Sequence, residues 1–246
     1  MINQTIEQLL SHYSVRAFKD KALTESEIRL LVESAQAAST SNFVQAYSII
    51  GVSDKKIRRE LAQIAGGMDY VETTGQFFVF TADLNRNKSI AESKGANPAS
   101  LDTTEKWLVA VIDAALAAQN MAIAAESLGL GICYIGGIRN NIKQVSDLLE
   151  IPDHAMPLFG LTIGYPEQNS APKPRMPYEL VYHENRYQQK EEGLYQAYDE
   201  TISKYYTDRT GGVRSETWTE QIAKGMEHAT RLDMKDFIES KKLGLK

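Results

Sequence analysis

Between residues 105 and 137 the chain reads EKWLVAVIDAALAAQNMAIAAESLGLGICYIGG, and this run leaves few options for what can surround it. Its first two thirds predict one long helix, because Trp107, Val111, Leu116, Met121 and Leu128 sit among alanines, the residues that cost least in a helix. Asp102 and Glu105 offer a capping box at the start, and Gly129 a C′ stop at the end. Asp113, Gln119, Asn120 and Glu126 are almost its only polar side chains, so the helix is expected to be covered on several sides. Four such groups, with Ala more frequent than Leu or Ile, argue against a membrane span. After Gly129 the period changes: LGICYIGG reads as a buried strand ending on two glycines, where another backbone or a flat ligand can come close.

The flanking sequence supplies both kinds of element. Residues 3–11 predict a helix with Ile2, Ile6, Leu9 and Leu10 on one face, and Thr24 with Glu27 forms a capping box for a second. A hydroxyl-rich loop over 38–43 leads into a strand at Tyr47–Val52, and a helix carries Ile57, Leu61 and Ile64. Residues 76–82 and 157–165 are β-branched and aromatic, as strands are. Asn141 can cap a helix bearing Ile142, Val145, Leu148 and Leu149. Four of the seven prolines fall between 166 and 177, a stiff extended segment, and 191–206 and 216–240 predict two further helices. Without regular βαβ alternation, the class is α+β.

Bulk properties exclude several functions. A net charge of −5 gives no electrostatic reason to expect nucleic acid or an anionic membrane as partner. The single cysteine, Cys133, lies mid-strand and reads as a buried structural thiol; it fits a reducing compartment, with the cytoplasm expected. No cationic and apolar leader opens the sequence. The four histidines lack metal-ligand spacing, and no metal site is expected. Gly129 and Gly131 do not extend to a dinucleotide fingerprint, because Tyr134 stands where the next glycine belongs.

Two cationic constellations remain. His12, Ser14 and Arg16 alternate, so in an extended segment they point one way. Lys173 and Arg175 flank Pro174 between two further prolines, which would hold two cations at a defined separation, suited to a phosphate. Spacing alone also allows two unrelated solvated basic patches.

Seven segments in order, HYSVR, SAQAASTSNFVQ, AAESLGLGICYIGGIRNNI, PLFGLTIGYP, PKPRMP, VYHENRY and YYTDRTGGVRSETW, together resemble the flavin-dependent nitroreductase family, specifically its NADPH-linked group A nitroreductases and flavin reductases. The resemblance covers nearly the whole chain. It implies a mainly antiparallel sheet wrapped by helices, in a homodimer that holds FMN at its interface. Residues 1–184 would form the FMN-binding core and 185–246 a helical extension exchanged with the partner subunit. It further implies that His12, Tyr13, Ser14 and Arg16 form the N-terminal flavin motif, with Arg16 as electrostatic support for the reduced ring. Ser39 and Ser41 would lie beside the cofactor and Tyr134, Ile135, Gly136 and Gly137 along its edge. Lys173 and Arg175 would take the phosphate, and Arg209 and Arg214 the NADPH. Met68 stands where close relatives often carry glutamine, so a sulfur contact replaces a polar one. The implied activity is ping-pong hydride transfer from NADPH through FMN to nitroaromatics, quinones or free flavin. Delivery of reduced FMN to a partner enzyme, or flavin binding with little turnover, are the alternatives.

Overall fold

A computed structural model describes residues 2–246. The elements run, in order, α1 (Gln4–Leu10), α2 (Glu25–Gln36), β1 (Tyr47–Val52), α3 (Lys55–Ile64), α4 (Asp69–Thr73), β2 (Gln76–Asp83), α5 (Asn85–Ser93), α6 (Thr104–Ser127), β3 (Gly131–Ile135), α7 (Ile142–Leu148) and β4 (Ala155–Gly164). Four helices follow: α8 (Tyr178–Val181), α9 (Glu192–Thr210), α10 (Trp218–Met226) and α11 (Met234–Ser240). The expected α+β class holds. One antiparallel sheet of order β1-β2-β4-β3 carries helices on both faces.

The chain divides into two compact units, Met1–Ser170 with Arg231–Lys246, and Ala171–Thr230. The division therefore differs from the expected boundary after residue 184, and the last sixteen residues return to the first unit. They do so through backbone bonds: His154 N–H donates to Lys241 O at 2.8 Å and Thr104 N–H to Lys246 O at 2.8 Å. Leu243 is fully buried there.

In the first unit β2 is buried on both faces, because its alternate residues enter different cores. Phe78 and Phe80 join the core under α2 and α6, whereas Phe77 and Val79 join the one under α3 and α7. Burying each Phe contributes roughly 1.5–3 kcal/mol. Between Phe80 and Thr81 the register against β4 slips, skipping Leu158 beside Pro157, which has no N–H to give. The freed Leu158 carbonyl accepts instead from the Arg139 guanidinium.

The central helix is capped differently from the expectation. Thr103, not Asp102, accepts from Lys106 N–H, because Asp102 is drawn into an ion pair with Lys246 Nζ at 2.9 Å. Gly129, at φ 74°, does end the helix. By length and composition α6 could span a membrane, yet half of its most apolar window is buried inside the unit. Within the single chain Ala110, Ala114, Ala117 and Met121 are buried, and Leu108, Ile112 and Leu116 form an open stripe. The apolar residues of α1 are open as well. The helix expected over 216–240 is two, broken where Arg231 adopts φ 55°, and α5 is an element that the sequence did not announce.

The second unit has its own small core of Leu180, Tyr198, Ile202 and Tyr206, with Trp218 packed against it. Gly211, at φ 61°, ends α9 in the left-handed conformation.

Gly160 gives a direct test of this packing, since a Cβ there would lie 2.2 Å from Phe77 Cζ. Gly160→Ala should destabilise the protein by about 1–3 kcal/mol in urea unfolding. An unchanged midpoint would mean that the sheet core is looser than described.

Candidate functional site

The free edge of β3 is where the first constellation docks. Ser14 bridges Ile132 in parallel, and Val15 N–H donates to Ile132 O at 2.8 Å. Val15 is buried and packs where Gly131 has no side chain: a Cβ on Gly131 would lie 2.5 Å from Val15 Cγ2. Along this segment Val15 is buried, His12 and Ser14 are half-buried and Arg16 is exposed. Tyr13, between them, is half-buried.

Each member of this cluster has a definite setting. His12 Nδ1 lies 2.5 Å from Glu126 Oε1 on α6. Arg16 donates its own N–H, not its side chain, to Gln168 Oε1 at 3.0 Å. Among the described residues its guanidinium has no carboxylate within ion-pair distance, and it acts electrostatically on the Cys133 thiol and the Tyr70 phenol. Burial pushes both of those groups up, so Cys133 is a poor thiolate and behaves as the structural residue expected. Met68 precedes α4, and its Sδ accepts from Tyr70 O–H at 3.1 Å.

On β3, Ile135 is buried while Tyr134 keeps 38% of its surface and meets Phe159 edge to face, ring centroids 5.5 Å apart. Tyr134 O–H donates to Gln119 Oε1 at 3.4 Å. Burial first, then the Glu126 charge, pushes its phenol up to about 12, so it remains a donor. Gly136 and Gly137 open a 3-10 helix over Gly136–Asn141, so their N–H groups have no intrahelical acceptor. Gly137 has a structural reason to be glycine that the sequence did not show: a Cβ there would lie 2.5 Å from Ala65 O. At Gly136 the nearest atom to such a Cβ is the end of the flexible Arg139 side chain.

Ser39 and Ser41 are exposed, and the loop that carries Ser41 is anchored elsewhere on the same helix. Asp113, 1% exposed, accepts from Ser41 N–H and Ala46 N–H, both at 3.0 Å. Between these anchors Asn42, Phe43 and Gln45 all have positive φ, and Phe43 stands 82% exposed. Left-handed non-glycine residues cost about 1 kcal/mol or more each, so this loop needs its two bonds to a buried carboxylate. Asp113 and Glu126 are 13 residues apart on α6, roughly 20 Å along the axis. The serine loop and the His12 segment of one chain are therefore not brought together.

In the second unit the two expected phosphate-binding cations are not equivalent. Lys173 Nζ donates to Tyr206 O–H at 2.6 Å, whereas Arg175 is exposed. Tyr198 O–H fixes the segment between them by donating to Pro174 O at 3.1 Å. Arg214 pairs with Glu216 at 2.9 Å and lies over the Tyr206 ring, 3.9 Å from its centroid. Arg209 donates to Tyr205 O–H at 2.9 Å.

Among the described residues no group of three or more His, Cys, Asp or Glu could hold a metal ion, and the β3 edge of the antiparallel sheet is occupied by the segment that carries Arg16. The nitroreductase family profile matches residues 9–165, and that of the nitroreductase family C-terminal domain matches residues 173–246. The chain is 53% identical over 244 residues to a protein of Bacillus subtilis (strain 168) named FMN reductase (NADPH), covering 98% of each. Among solved structures it is similar to NfrA1 of B. megaterium, at TM-score 0.96 and 51% identity over 98% of this chain and 100% of that one. It is also similar to the NADPH:FMN oxidoreductase of Vibrio harveyi complexed with NAD+, at TM-score 0.91 and 37% identity over 99% and 100%. The chain belongs to the nitroreductase family.

Sequence reading did not find Asp113 and Glu126 as the anchors of the site; their only signal was polarity on an otherwise apolar helix. Asp113→Ala would leave two N–H donors of a strained loop without their acceptor. It should cost roughly 2–4 kcal/mol in thermal or urea unfolding, and a variant as stable as the parent would show that the loop holds itself.

Proposed function

We propose that this protein is an FMN-dependent oxidoreductase that draws electrons from NADPH and passes them to a small acceptor, namely free flavin, a quinone or a nitroaromatic compound. The observation that carries the reading is the donor-bearing rim at the β3 edge. It combines the Arg16 guanidinium, the hydroxyl of Ser14 and the N–H groups of Gly136 and Gly137. Such a rim fits the acceptor-rich edge of a flavin and its negative charge when reduced. Bound FMN would supply the two-electron chemistry that no side chain in the cluster has. The names of the relatives support both the cofactor and the electron donor.

The chain's own residues have binding and orienting roles in this reading. Arg16 keeps its charge at any physiological pH and would stabilise negative charge beside it. Tyr13, Ile135 and Met68 would shape the groove, with the Met68 thioether fixed by Tyr70. Arg175 would meet the phosphate, with Lys173 free to join it on release from Tyr206. Arg209 and Arg214 would take NADPH; the exposed Arg214–Glu216 pair opposes this by at most about 1 kcal/mol.

A second copy of the chain completes the site in this account. The serine loop lies too far along α6 from His12 for both to border one flavin ring in one subunit, so the partner would contribute Ser39 and Ser41. The open apolar side chains Leu108, Ile112 and Leu116 on α6 and Ile6, Leu9 and Leu10 on α1 give that copy a surface to cover. The exchanged extension would then be the second unit, since residues 231–246 pack on the first unit of their own chain.

Initial rates of NADPH oxidation with a quinone acceptor test the activity. Parallel double-reciprocal lines are expected, and bound FMN without turnover would overturn the enzyme reading in favour of a flavin-binding module. Arg175→Ala should weaken FMN binding by about tenfold, the loss of one charge-assisted hydrogen bond, as read by flavin fluorescence; equal affinity would remove Arg175 from the site. Replacing both Arg209 and Arg214 with Ala should raise KM for NADPH and spare NADH, whereas equal effects would deny them the nucleotide phosphate.

A further inference from the structure

Glu126 bears two costs at once. It sits in the last turn of α6, where the helix dipole disfavours negative charge, and its side chain is only 11% exposed. A carboxylate so placed needs a donor. Among the described residues the one that it has is His12 Nδ1, at 2.5 Å, from a segment 114 residues away in sequence. Gln119 lies two turns earlier on the same face of α6 and accepts from Tyr134 O–H. One stripe of the helix thus holds β3, through Tyr134, and the segment docked on its edge, through His12.

An ionised carboxylate only accepts hydrogen bonds. Facing Nδ1, it requires the proton to be on that nitrogen, and which nitrogen of a histidine is protonated is set by the bond that the other one makes. Nε2 is left as the second nitrogen, unengaged by Glu126. The imidazole is held at the start of the segment that Val15 and Ser14 pin to Ile132, so its position is fixed from both sides.

We propose that Glu126 is a positioning residue: through His12 Nδ1 it sets the tautomer and orientation of the imidazole, so that Nε2 is the nitrogen presented to FMN. The proposal rests on the reading of His12 as a cofactor-binding residue. Gln at position 126 keeps the shape but offers an amide N–H as well as an oxygen, and so no longer dictates the tautomer.

The test combines long-range 1H–15N NMR of the histidine ring with FMN titrations of the parent, Glu126→Gln, His12→Gln and the double variant. The parent should carry its His12 proton on Nδ1, and Glu126→Gln should admit the Nε2–H form. FMN affinity should fall by about tenfold in Glu126→Gln, and the double variant should bind no more weakly than His12→Gln alone. A His12 Nδ1 found without a proton in the parent would overturn the proposal, and this readout stands even if a variant does not fold. Additive losses in the double variant would also overturn it, since Glu126 would then act without His12. Unchanged FMN affinity in His12→Gln would instead refute the placement of His12 at the cofactor, a separate failure from a wrong tautomer.

Discussion

Asp113 is a carboxylate enclosed on an alanine-rich helix face, and in that setting it must find donors or cost several kcal/mol. It finds the N–H groups of Ser41 and Ala46, and with them fixes a loop of three left-handed non-glycine residues. Thirteen residues on, Glu126 does the same for His12. The apolar face of α6 builds the core, while its few polar side chains anchor the loop at Ser41–Ala46 and the His12 segment. This division of labour explains why so apolar a helix keeps any acids at all.

The sheet contributes the other half of the geometry. β3 is an edge strand, and an open edge invites another backbone. The 13–15 segment takes that place, which carries Arg16 to the end of β3 where the Gly136 and Gly137 amides open a new helix. Glycine at 137 is demanded by the approach of Ala65, whose carbonyl leaves no room for a Cβ. The bulge beside Pro157 lets Arg139 clamp the Leu158 carbonyl and secures the 3-10 helix from beneath.

Much of this was legible in the residues. The four strands, the Thr24 capping box, the Asn141 cap and the Gly129 stop all depend on side chains a few positions away, and local pattern shows them. What sequence could not show depended on distant partners. Asp102 looked like the cap of α6, but Lys246 draws it away and leaves Thr103 in that role. Helix α5 carries a single large apolar residue, Ile90, which is itself exposed, so it had no amphipathic signature. The break before α11 has neither Gly nor Pro to mark it; Arg231 turns there as the chain rejoins the first unit, with its guanidinium on Asn140 Oδ1 at 2.9 Å. Lys173 and Arg175 looked like a matched pair until Tyr206 engaged one of them.

In the proposed reading one flavin site needs two chains, because α6 anchors the serine loop and the histidine segment roughly 20 Å apart. Sedimentation equilibrium read at both the protein and the flavin absorbance tests it most directly. The account predicts flavin sedimenting only with a particle of twice the 27.5 kDa chain mass, at one FMN per chain, and lost when dilution separates the subunits. Flavin that travels with a single chain would contradict it.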